Sequence, residues 1–220
     1  MQSMVRAMVL LLVLLMAPLA AAEHYSYRIS TGTDAVVSDI TVNAEGQRKR
    51  VINRSGNELT ELLLDSDGNT LEWHYSQTDL DKDIFGVRQD DRVQLKIRDG
   101  DKSYEKTVKL EGHTWYQNID LGARGFLLSD EKVRSFRILN PSDLGVVKLK
   151  LEKKELKTME MGGRSRAVLR VEMHSDNFFL YGLWKADYWF DADTALYLRY
   201  EGANGGPGTP KTHVELLPAP

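Results

Sequence analysis

Residues 92–98 read "RVQLKIR", and the reading of this short stretch decides the fold. Val93, Leu95 and Ile97 fall on one side of an extended chain, and Gln94, Lys96 and Arg98 on the other. Side chains alternate across a strand, so a two-residue period marks a strand with one dry and one wet face. The period recurs in "VVKLKLE", where Val147, Leu149 and Leu151 oppose Lys148, Lys150 and Glu152. It recurs again in "AVLRVEMH", where Ala167, Leu169, Val171 and Met173 oppose Arg170, Glu172 and His174. Antiparallel sheets tolerate one wet face, whereas all-parallel sheets are covered on both.

Further strands are expected over residues 24–31, 35–44, 47–54, 59–65, 70–77, 103–110, 132–139, 180–190 and 195–201. Turn residues punctuate them: Asp67-Gly68, Asp99-Gly100, Gly162-Gly163 and Ala44-Glu45-Gly46. Glycine supplies positive φ without steric cost, and Asp caps the backbone of its own turn. Eleven or twelve short strands with hairpin punctuation predict an all-β fold with minor α content. The expected architecture is a strongly curved antiparallel sheet forming an open or half β-barrel. Only "WYQNIDLGARGFLLSDEKV", residues 115–133, departs from the strand period, and a short helix or irregular crossover is expected there.

The N-terminal segment has the order of an export signal. Arg6 precedes an apolar stretch from Ala7 to Met16, Pro18 follows, and Ala20-Ala21-Ala22 offers small residues for cleavage. Residues 1–22 are therefore expected to be a cleaved signal peptide, with 23–220 as a single β half-barrel domain. The apolar run is shorter than the roughly 18 residues that favour a membrane span. The location implied is the periplasm, without a span after cleavage. The chain has no Cys and a formal net charge of −3, which removes thiolate metal sites, disulfides and any basic footprint for nucleic acid.

Two Asp-rich corners, "LLLDSDGNT" and "WFDADTALY", invite a metal reading. Calcium loops of the EF-hand type need acids at positions 1, 3 and 5, Gly at 6 and Glu at 12. Neither corner fits, and both are read as hairpin turns whose Asp side chains accept backbone N–H groups. A weaker calcium candidate is "DLDKDIFGVRQD", with Asp79, Asp81, Asp83 and Asp90, although Ile84 stands where Gly is required. Its plainer reading is a charged loop or the wet face of an edge strand. The five His are scattered and none has helical metal-ligand spacing. Ser165 lacks a nucleophile elbow, so no catalytic residue is assigned and no cofactor is implied.

Aromatic residues are the densest feature. "FFLYGLWKADYWF" would place Trp184, Ala186, Tyr188 and Phe190 on one face of a strand. Together with Trp73, Leu95, Leu149 and Leu169, the residues Trp184, Tyr188 and Phe190 form a candidate lining for a hydrophobic ligand. The same residues also suit a closed barrel core.

The C-terminal "DYWFDADTALYLRYEG…GGPGTPKTHVELL", preceded by "KKELKTMEMGGRSRAVLRVEM", resembles the end of the bacterial exported family called domain of unknown function 3108. In that family paired strands around a Gly precede a strand of the form W…WF(D/S). A turn and an "LPLRYE"-like strand follow, and Tyr197 stands here where Pro is usual. The similarity is clearest from about Phe136 to Leu217. It implies a periplasmic curved sheet similar to the unclosed barrels of lipoprotein carriers, whose concave apolar face receives acyl chains. Two functions follow as expectations. One is a non-enzymatic protein sheltering a lipid-like ligand on the concave face. The other is an accessory cell-envelope protein that binds another protein, with no small ligand.

Overall fold

The computed structural model describes residues 22–161, 164–176, 185–203 and 209–218. Residues 1–21 of the expected signal segment and Trp184 lie outside them. In the described residues the alternation of residues 92–98 is reproduced without exception, with Val93, Leu95 and Ile97 buried and their neighbours exposed.

Eight strands run in succession: β1 (Glu23–Thr31), β2 (Asp34–Glu45), β3 (Arg48–Ser55), β4 (Glu58–Leu64), β5 (Thr70–Gln77), β6 (Lys82–Gln89), β7 (Arg92–Asp99) and β8 (Lys102–Lys109). A second run holds β9 (Thr114–Trp115), β10 (Val133–Leu139), β11 (Val146–Met161), β12 (Arg164–Ser175), β13 (Lys185–Asp191), β14 (Tyr197–Ala203) and β15 (Lys211–Leu216). All belong to one 15-stranded sheet in the order β8 to β1 and then β15 to β9. Each run is a meander, and the runs join where β1 pairs antiparallel with β15, Tyr27 opposite Leu216. One pair, β9 with β10, is parallel.

This order alone demands that the sheet roll up. Strands β8 and β9 lie at opposite ends of the order. Along a flat sheet that separation is about 67 Å at the usual strand spacing. The link Leu110–His113 must span it. Even fully extended, it reaches only roughly 18 Å from β8 to β9. Register shifts at Leu63/Leu64, at Lys153/Leu156 and at Trp189/Phe190 supply bends, because an extra residue kinks a strand and raises its twist. The sheet does not close, since β8 and β9 share no ladder. The loop between β10 and β11 bridges the seam instead. Lys106 Nζ donates to the Leu144 carbonyl at 2.9 Å and Lys82 Nζ to the Ser142 carbonyl at 3.2 Å.

The crossover expected at 115–133 is two very short helices, α1 (Ile119–Gly122) and α2 (Arg124–Leu128). Asn118 caps α1, its side chain accepting from the Leu121 N–H at 3.0 Å. Gln117 ties the segment to the sheet by acting as a surrogate strand residue. Its amide accepts from Leu139 N–H at 3.0 Å and donates to the Leu139 carbonyl at 2.8 Å. Ile119, Leu121, Phe126 and Leu127 then join the same buried cluster as the sheet's inner face.

Several expectations change: Val147, expected on the dry face, is 38% exposed, and His174, expected on the wet one, is buried. Residues 82–89 are neither a loop nor an edge strand but an interior strand, β6, paired on both sides. Ile84 and Gly86 face the core there, and the acids that suggested a loop sit at the strand's start and in the preceding 3-10 turn Thr78–Leu80. Ala167 does not share the burial of Val171 and Met173 and is exposed. Its ladder partner is on β11, and past the end of the β12–β13 ladder its carbonyl accepts from the Ala192 N–H at 2.9 Å.

Candidate functional site

The inner face is built from alternate residues of nearly every strand. Trp73 is 1% exposed, Leu95 1%, Leu149 5%, Tyr188 7% and Phe190 0%, and Leu169 packs partly buried against them. The structure thus brings the proposed lining together in one cluster, in contact with α1 and α2, apart from Trp184 beyond the described residues.

The aromatic part is concentrated on β1, β13 and β14. Tyr188 stacks on Phe190 with centroids 6.0 Å apart and meets Tyr200 edge-on at 4.9 Å. Tyr197 lies 5.0 Å from Tyr27. Buried phenols need partners. Tyr27 donates to the Tyr197 carbonyl and Tyr200 to the Ala203 carbonyl, each at 3.1 Å. Burial drives the hydroxyls of Tyr27, Tyr188 and Tyr197 far above the usual range and that of Tyr200 up to about 12. The rings therefore stay neutral at any physiological pH.

An acidic group acts on all four of these tyrosines. Asp120, between Ile119 and Leu121 on α1, adds to the shift of all four tyrosines. Desolvation pushes its own carboxyl up to about 7, and a hydrogen bond with Asn118 offsets only part of that. Nearby, Arg124 is engaged at the mouth, with Nη1 3.4 Å from Glu23 Oε2 and Nη2 3.4 Å from Tyr25 Oη. Asp120 was not singled out in the sequence. The signal available was an acid set between Ile and Leu in the one stretch with helical spacing.

The cover formed by α1 and α2 is pinned to the corner between β4 and β5. A side chain at Gly68 would begin 2.1 Å from the Gly122 carbonyl oxygen, and one at Gly125 would begin 3.1 Å from the Asp67 carbonyl oxygen. Backbone thus meets backbone, which only glycine permits.

The calcium candidates are not brought together. Asp79 lies in the 3-10 turn, Asp81 just after it and Asp83 at the start of β6, while Asp90 is in the turn after the strand, roughly 23 Å from Asp83 at a strand's rise per residue. Asp81 accepts from Arg98 at 2.7 Å and Asp83 bonds His74 at 2.9 Å. Among the described residues, Glu152, Glu172 and His174 have ligand atoms within 4.8 Å of one another. Lys154 Nζ already takes the cation's place there, 2.8 Å from Glu152 and 3.5 Å from Glu172.

The architecture defines a class: an unclosed, β-barrel-like sheet whose inner face is covered by a helical crossover. A β-barrel-like protein of domain of unknown function 1849 from Brucella abortus has this fold, with TM-score 0.59 at 10% identity over 89% of this chain and 94% of that one. The hypothetical lipoprotein YmcC from Escherichia coli aligns with TM-score 0.42 and 13% identity over 92% and 89% of the two chains. A family 1329 protein from Desulfovibrio piger aligns with TM-score 0.29 and 10% identity over 89% and 83%. No family model and no curated protein matches the chain.

Proposed function

We propose that this is an exported, non-enzymatic cell-envelope protein that shelters an apolar or lipid-like chain on the concave face of its half-barrel. The observation that supports it most is the nature of the cover. A continuous apolar face from both meanders is closed by helices of four and five residues. Helices this short are not stable alone, so the cover holds only through packing and can be exchanged for another apolar occupant. The residues from Phe136 to Leu217 that resemble family 3108, and the signal-like N-terminus, point the same way. The no-ligand alternative, an accessory protein binding another protein, is favoured by the closed state of the lining, five residues of which are 0–7% exposed.

Uptake of cis-parinaric acid separates the two readings. The carrier reading expects saturable fluorescence enhancement, increased roughly tenfold in Leu121→Ala because truncating a buried Leu weakens the cover. Lack of copurifying lipid together with lack of uptake in both proteins would sink it and leave the protein-partner reading standing.

A further inference from the structure

Outside the concave face, a cleft of about 630 Å³ opens where separate parts of the chain converge, a size that accommodates a small ligand. The β4–β5 corner contributes Asp67 and Asn69, the far link contributes His113, and the approach to β10 contributes Glu131 and Arg134. Gly125 of α2 forms part of the wall. No aliphatic or aromatic hydrocarbon side chain is among the lining residues.

The cleft is prearranged. Arg134 donates from Nη1 to Tyr116 Oη at 2.8 Å and from Nε to Glu131 at 2.9 Å, and it lies over the Phe126 ring at 5.2 Å. A guanidinium fixed in advance loses little freedom when a ligand arrives. The opposite wall is set by Asp65, which accepts from the N–H groups of Asp67 and Asn69 at 2.9 and 2.8 Å. Backbone contact with α2 at Gly125 holds that wall in place.

The chemistry narrows the ligand. Asp67 and Glu131 repel a phosphate or carboxylate, and Arg134 offsets their pull on a cation. The polar lining gives an alkyl chain nothing to bury against. A neutral molecule rich in both donors and acceptors fits, because the Asp67 carboxylate can accept from two adjacent hydroxyls, while Arg134 and Asn69 each keep N–H groups beyond those they already donate to Tyr116, Glu131 and Asp65. We propose that this cleft binds a neutral saccharide through Asp67, Asn69, His113 and Arg134. The site is separate from the concave face, and its occupancy does not depend on a lipid being held there.

Saturation-transfer NMR on the purified protein tests this, using maltose, cellobiose and N,N′-diacetylchitobiose, with glycylglycine and inorganic phosphate as competitors of other classes. The expected result is transfer to the ring protons of at least one saccharide, equal at low and high salt because the ligand is uncharged. Asp67→Ala and His113→Ala should each weaken it about tenfold through a lost hydrogen bond. Asp67 is exposed and His113 only partly buried, so unchanged thermal midpoints would show that both variants fold. The proposal is overturned if no saccharide responds, if the response survives both substitutions in folded protein, or if glycylglycine or phosphate binds in place of the sugars.

Discussion

The corners at Asp65 and Asp191 are built from the same local chemistry and serve different ends. At the first, Asp65 Oδ1 accepts from the N–H groups of Asp67 and Asn69. At the second, Asp191 Oδ1 accepts from the N–H groups of Asp193 and Thr194 at 3.2 and 3.0 Å. Each sits beside a register shift, at Leu63/Leu64 and at Trp189/Phe190. Their surroundings differ. The Asp65 corner presses its backbone against α1 and α2 and supplies a wall of the polar cleft. The Asp191 corner adds a pairing with Arg166 at 3.4 Å and leaves Asp193 and Thr194 exposed. A capped turn is thus a local unit, while its wider role is set by what the sheet's curl brings against it.

Substitution at the closest contact gives the largest contrast. Gly68 has φ +84° and no room for a methyl group beside Gly122. Gly68→Ala should cost on the order of 3–4 kcal/mol in urea unfolding, from strain plus displacement of the cover. At the other corner Ala195 has φ +53°, and Ala195→Gly should stay within about 1 kcal/mol of the parent, since relieved strain opposes lost chain stiffness. Equal effects at the two corners would erase the distinction.

The cover's own charge comes next. Asp120 ionises near pH 7 in the folded protein, against about 4 when unfolded. The folded state therefore binds the extra proton between these values, and stability should fall as pH rises from about 4 to about 7, then level off. Asp120 keeps partial solvent access, so the loss should be on the order of 2 kcal/mol rather than the full value of the shift. Asp120→Asn should flatten that part of the stability profile. An unchanged slope in a folded Asn variant would place the carboxyl in water and not against the tyrosines.

Smaller effects belong to the caps. Asp65→Ala removes bonds to two backbone N–H groups and to Asn69 Nδ2, and should cost about 2 kcal/mol. Asp191→Ala should cost about 1 kcal/mol, at a corner that packs against no cover. Asp191 also makes a pH test of the cap. Burial opposes its ionisation, but the bonds from Thr194 and Asp193 together with Arg166 prevail and hold its carboxyl below the usual range. Its contribution is present above the unfolded value and should be lost as pH falls through the lower folded one, opposite in sign to Asp120.

Much of this was legible because it is local. The alternation in residues 92–98 predicted β7 residue by residue, and that in residues 146–152 predicted the buried Leu149 and Leu151 of β11. The Asp corners were read as turns from their failure to match a calcium loop. Strand β6 was obscured because Asp79, Asp81, Asp83 and Asp90 cluster at and beyond its ends, so the stretch reads as a charged loop or an edge strand. In the sheet Gly86 is an asset, since a side chain there would begin 2.9 Å from Leu95 Cδ2. Asp120 was obscured for the opposite reason: nothing within a few residues of it shows that it acts on tyrosines of β1, β13 and β14.

The sequence by itself determined most of the residues that face inward, where the chain turns, and that one segment breaks the strand period. Each depends on neighbours one to four residues apart, and steric preference and solvation act at that range. Only the tertiary structure decided the order of the 15 strands, with β8 and β9 at its two ends, and so which distant residues the expected curl brings together. The same curl set Gly68 against Gly122, brought Asp120 within electrostatic reach of four tyrosines, and placed His113 and Asp67 on the lining of one cleft. The physical reason is accumulation: twist and bulges are small at each strand, and their sum over the whole order fixes which distant residues meet.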